Sequence, residues 1–199
     1  HDPMCSWCWG FRPVFDALCR SLPSGVEVSR LLGGLAPDSD EAMSPAMRET
    51  LQDTWRRIAA RIPGTRFNHD FWTRCQPRRS TWPACRAVIA ARNLVPAAEE
   101  PMILAIQRAY YLEARNPSDR QTLITLAAGL GIDASLFADT LDSMETRTRL
   151  AHEMQLSHAL GATGFPSLRL RTGKAIRPIT VDYHDAGSMQ SAIARLIKA

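Results

Sequence analysis

Two thiols three positions apart, Cys5 and Cys8 in the run Cys5-Ser6-Trp7-Cys8, are the residues of this chain best suited to chemistry. On one turn of a helix such a pair closes into a small disulfide or opens into a dithiol at modest geometric cost. If Cys5 lies at the helix N-terminus, unpaired backbone N–H groups and the positive end of the helix dipole stabilise its thiolate. The thiolate is the nucleophile, so that placement makes an ordinary cysteine reactive. The chemistry implied is redox chemistry on sulfur. A second signal stands far away, in Thr163-Gly164-Phe165-Pro166-Ser167. A proline at the start of a strand, after glycine and an aromatic, fits either a cis peptide bond in a tight bend or an ordinary trans entry.

Other candidates read more plainly. Cys19 falls near the apolar stripe of the first helix and Cys85 on an apolar helix face, so both are expected buried and inert. Cys75 sits in a polar stretch and is open as a reactive candidate, with no identified partner. Glu27 is either an exposed strand residue or a buried proton acceptor assisting Cys8. Zinc reuses the C-x-x-C spacing but wants a second ligand pair. Cys75 and Cys85 have nine residues between them and His152 and His158 are six apart, so no metal is expected. Trp7 reads equally as a hydrophobic rim for unfolded substrates or as packing, and Trp9 as packing.

The elements that must position these residues follow from patterning. Phe11, Val14, Phe15, Leu18 and Leu22 repeat as an amphipathic helix, with Pro13 inside it as an expected kink. Val26 to Leu32 reads as a strand that Gly33-Gly34 stops. From about residue 40 to 160 helix follows helix. Ser44-Pro45 caps a helix striped by Met47, Leu51, Trp55, Ile58 and Ile62, and Pro83 begins another carrying Cys85, Val88 and Ile89 on one face. Met102 to Glu113, a segment capped by Asp119, a short one capped by Asp133, and Ser143 to Leu160 complete the block. Ser167 to Arg171 and Ala175 to Thr180 form a hairpin about Thr172-Gly173-Lys174, and Ala186 to Ile197 is the last helix. A reactive turn at a helix start is usually supported by a preceding buried strand, so such a strand is expected upstream of Cys5.

Composition sets the outer bounds. At 199 residues, 45% apolar, the chain has material for a sizeable core, as one large domain or one domain with an insertion. The formal charge of +4 comes from arginines scattered over several segments, a solvated basic surface in preference to a nucleic-acid site. No apolar run is long enough to cross a bilayer. An odd number of cysteines argues against a fully paired extracellular framework and favours the cytoplasm. The periplasm stays open, because a signal peptide could have preceded His1.

Taken together, C-x-x-C opening a helix, a proline five residues later and a late proline before a hairpin resemble the thioredoxin superfamily. The helical block between strand and hairpin resembles the DsbA family of thiol-disulfide oxidoreductases. More narrowly, Asp2-Pro3-Met4-Cys5-Ser6-Trp7-Cys8-Trp9-Gly10-Phe11, Trp82-Pro83-Ala84-Cys85-Arg86-Ala87 and Ala109-Tyr110-Tyr111-Leu112-Glu113 are similar to the FrnE-like and predicted dithiol-disulfide isomerase branch. The resemblance implies an α/β, thioredoxin-like domain from residues 1–38 and 161–199, with 39–160 as an inserted helical domain. It implies that Cys5 is the more exposed thiol and the nucleophile, Cys8 the resolving thiol and Pro166 a cis-proline beside the disulfide. The Phe165 backbone would then pair with an extended substrate. Cysteine-containing proteins or peptides would be the substrates, with no cofactor beyond the cysteine pair and glutathione or another small thiol as candidate partner. Kappa-class transferases and 2-hydroxychromene-2-carboxylate isomerases share the fold, but the resemblance implies a serine at their first motif position, and two cysteines here argue against that glutathione-dependent branch. A non-catalytic binding module is the third reading.

Overall fold

The computed structural model describes residues 1–198. Helix α1 (Ser6–Ser21) runs through Pro13, as its apolar repeat requires, with Cys5 as its N-cap residue. Its stripe meets the C-terminal elements: Phe11 and Leu18 form one buried cluster with Ile179, Met189 and Ile193. Those last three come from strand β2 (Ala175–Ile179) and helix α9 (Ala186–Lys198). Strand β1 (Leu168–Thr172) pairs with β2 antiparallel, Leu168 opposite Ile179 and Thr172 opposite Ala175. Gly173 opens the two-residue turn at φ +59°, where a side chain would be strained.

The helical block comprises α2 (Pro45–Arg61), the short α3 (Phe71–Arg74), α4 (Trp82–Leu94), α5 (Glu99–Tyr111), α6 (Arg120–Gly129), α7 (Ala134–Asp142) and α8 (Met144–Ala159). Ser44 and Asp133 cap their helices as the sequence predicts, accepting from the N–H groups of Met47 and Leu136, and Ser143 does the same for α8 through the Thr146 N–H. Asp119 does not: its carboxylate receives the Arg78 guanidinium instead of an N–H of α6. An ion pair with a neighbouring loop has won over a local cap. The single apolar face expected for α4 is also too narrow. Residues Ala84 to Ala91 are all buried, because α4 packs against α5, α6, α7 and α8 together and its alanines let them approach.

The strand expected over Val26 to Leu32 is not formed. The segment has no ladder among the described residues, and Val28 is 46% exposed. A ladder needs an extended neighbour along its length, and among the described residues the backbone bonds to this end of the segment come from His1. Its amine donates to the Leu31 carbonyl (3.0 Å) and its carbonyl accepts from Gly33 (2.8 Å). The end of the segment is anchored from α8, where the buried Glu153 carboxylate accepts the Leu32 N–H at 3.0 Å.

Candidate active site

Cys5 and Cys8 are both free thiols and both buried, at 6% and 4% exposure. Because Cys5 caps α1, its carbonyl accepts the first helical bond, from Trp9 at 3.1 Å. The N–H groups of Trp7 and Cys8 lie free to face its sulfur. These surroundings drive the two thiols apart. Cys5 is lowered from the ordinary value of 9.0, chiefly by the hydrogen bond from the Cys8 thiol and then by the backbone N–H groups of Cys8 and Trp7; burial and the charge of Asp2 oppose them. Cys8 is pushed well above that value, first by burial and then by its interaction with Cys5. One thiol is poised to ionise and the other to keep its proton.

Across from them, Phe165–Pro166 is a cis peptide bond, and the Phe165 carbonyl lies 3.3 Å from Cys5 Sγ. In the neutral dithiol, Cys5 donates its proton to that carbonyl. As a thiolate it turns acceptor, and the Cys8 thiol supplies the bond. The structure thus brings together residues 160 positions apart. The Phe165 ring is fixed by Gly33: a Cβ there would lie 1.8 Å from the ring.

Trp7, half-buried, meets Tyr183 edge-on at 5.3 Å, and the Arg61 guanidinium lies 5.9 Å from its ring. Burial, followed by the neighbouring Cys5 and Cys8, raises the Tyr183 hydroxyl to about 12. Trp9 packs, as expected, stacked on Tyr111 at 5.6 Å with its indole N–H on the Arg66 carbonyl at 3.0 Å. Behind Cys8 a cavity of about 170 Å³ runs between α1, Ser29 to Leu31 and β1, with Phe165 and Pro166 in its wall.

Several site residues escaped the sequence reading. Tyr111 donates to the Met4 carbonyl at 2.7 Å, and Trp55 donates to Ser6 Oγ at 3.0 Å, so two aromatics of the helical block hold the turn around Cys5. Apolar spacing marked Trp55 as core, while Tyr111 stood out only within the run Ala109-Tyr110-Tyr111-Leu112-Glu113; both are core residues as well. Asp2 is fully buried and takes the N–H groups of Met4 and Leu35 and the Thr81 hydroxyl, at 2.8, 2.8 and 2.7 Å. An acid three residues before the first cysteine was the available signal. Glu27 is exposed and has no part here. Cys19 and Cys75 are half-buried, and Cys85 is fully buried; burial raises all three thiols. Cys75, open as a reactive candidate, instead bonds the Ala114 carbonyl at 3.0 Å. Among the described residues no group of three His, Cys, Asp or Glu side chains gathers to hold a metal, and no helix is long and apolar enough to cross a membrane.

Residues 1–181 match the family model of the DSBA-like thioredoxin domain. The chain belongs to that family. Among solved structures it is similar to a candidate protein disulfide isomerase from Nitrosomonas europaea, 28% identical with a TM-score of 0.85, covering 99% of this chain and 94% of that one. It also resembles the cytosolic disulfide reductase DsbM from Pseudomonas aeruginosa, 27% identical with a TM-score of 0.80, covering 100% and 97%. That reductase has also been solved with glutathione, at 26% identity and a TM-score of 0.77. Among curated proteins the chain is similar to the ClpXP adapter protein SpxH of Halalkalibacterium halodurans and of Bacillus subtilis, each 23% identical over 170 residues. It spans 55% of the length of those relatives. The fold is the DsbA-like thioredoxin fold with its helical insertion, as the motifs implied.

Proposed function

We propose that the protein is a thiol-disulfide oxidoreductase in which Cys5 attacks and Cys8 resolves. One observation carries the reading: Cys5 caps α1 beside the Phe165 carbonyl with its thiol lowered, while the Cys8 thiol is raised. The Cys5 thiolate attacks one sulfur of a substrate disulfide, forming a mixed disulfide and releasing one substrate thiolate. Cys8 then gives up its proton and attacks Cys5 Sγ, which releases the second substrate thiolate and leaves Cys5–Cys8 as a disulfide. Two electrons have passed to the substrate. Two molecules of glutathione return the pair to the dithiol, and glutathione disulfide leaves.

Substrate enters as an extended segment on the backbone of Phe165, a docking mode tolerant of sequence because the main chain makes the bonds. Trp7 and Tyr183 give that segment an apolar rim. The reductive direction and a cytoplasmic site of action are supported by the likeness to a cytosolic disulfide reductase at 27% identity. The description of the curated relatives as adapters favours a binding module as the second reading. The two part in a glutathione-driven insulin reduction assay with wild type and Cys5→Ser. Turnover that vanishes in the variant supports the oxidoreductase; absence of turnover in both supports the binding module.

A further inference from the structure

Among the described residues Asp2 is the fully buried carboxylate beside the C-x-x-C motif. Four groups point at its oxygens: the N–H of Met4, the N–H of Leu35, the Thr81 hydroxyl, and the Cys85 thiol at 3.7 Å. All four are donors and all four are uncharged. None of these contacts is an ion pair, so the acid sits in the interior with uncharged donors as its partners. Its own carbonyl accepts the Cys5 N–H at 3.0 Å, which ties its position to the motif. Thr81 in turn is fixed by the Ala36 N–H, which donates to its hydroxyl at 3.1 Å. The charge is therefore placed from two sides, by the turn before α1 and by the residue before α4.

We propose that Asp2 is a positioning residue that sets the redox poise of the motif: its buried, unneutralised charge opposes negative charge on Cys5 Sγ and biases the pair towards giving electrons. The inference rests on the oxidoreductase reading and supplies a structural cause for its reductive direction. A less stabilised Cys5 thiolate makes the reduced protein a better donor and its disulfide harder to reduce. Asp2 and Cys5 are both buried, so the interaction between them is weakly screened. The other groups facing this space are Cys8 on α1, Cys85 on α4, Tyr110 and Tyr111 on α5, Tyr183 before α9 and the His1 amine. The tyrosine hydroxyls are all raised, so they stay neutral where Cys5 ionises.

The test measures two quantities in the full chain: the pH midpoint of Cys5 alkylation, and the equilibrium of the Cys5–Cys8 pair with glutathione. In that equilibrium two glutathione thiols reduce one protein disulfide and yield glutathione disulfide. In Asp2→Asn the midpoint falls, and the equilibrium moves roughly three- to tenfold towards the protein dithiol. In Thr81→Val, which keeps the charge but removes its hydroxyl donor, the midpoint stays at or above that of wild type; Thr81→Ser restores wild-type behaviour. A purely structural role would move Asp2→Asn and Thr81→Val in the same direction, and that result overturns the proposal. Should Asp2→Asn fail to fold, Thr81→Val decides alone: a midpoint below wild type overturns, one at or above it supports. Failure here with insulin reduction still dependent on Cys5 removes the role of Asp2 and leaves the oxidoreductase reading standing.

Discussion

Cys5 and Cys8 carry the same functional group and differ only in what surrounds them. Cys5 has two backbone N–H groups and a thiol proton aimed at it; Cys8 has burial and a neighbour that ionises first. The consequence for pH runs in opposite senses. Cys5 is lowered in the folded state, so its contribution to stability is complete above 9.0 and is lost as pH falls through the folded value. Cys8 is raised, so folding of the dithiol is penalised as pH climbs past 9.0, where the unfolded chain ionises that thiol freely. Rapid alkylation by iodoacetamide, followed by mass spectrometry, should therefore label Cys5 with a midpoint below 9.0 and leave Cys8 unlabelled there. Urea-unfolded protein should show both cysteines at the ordinary value.

The elements matter for how they hold two distant loops against each other. Helix α1 presents Cys5, the loop before β1 presents Phe165, and the turn at Gly33 sets their distance, because the Phe165 ring occupies the space where a side chain at 33 would begin. Gly33→Ala should push Phe165 away from Cys5 and cut kcat/KM for disulfide reduction by about tenfold or more, an effect of the size expected from misplacing a docking group. Steady-state kinetics with a melting curve checks this, and an active, normally melting variant would count against it. The cysteine pair and Pro166 were legible in the sequence because their chemistry is local: a spacing on one helix turn, a proline at a strand entry. Tyr111, Trp55 and Thr81 were not, since each acts across tens of residues through one polar atom on an otherwise apolar side chain. Val26 to Leu32 misled for a related reason. Its composition favours a strand, but pairing is decided by a neighbour, which composition does not show.

At the scale of the whole molecule, the helical block and the C-terminal cluster keep separate apolar cores that meet around the site. Glu153 on α8 is one of the links. It accepts the Leu32 N–H and pairs with Arg92 of α4, which Glu99 also holds at 2.8 Å. Glu153→Ala strands the buried Leu32 N–H and leaves Arg92 with Glu99 alone, so it should destabilise the fold by about 2 kcal/mol, read by urea denaturation. The central claim is tested most directly by trapping. Cys8→Ser protein mixed with oxidised glutathione should accumulate one mixed disulfide, mapped by peptide mass spectrometry to Cys5, while wild type resolves it to the Cys5–Cys8 disulfide. A mixed disulfide on Cys19, Cys75 or Cys85 in place of Cys5, or none at all, would contradict the account.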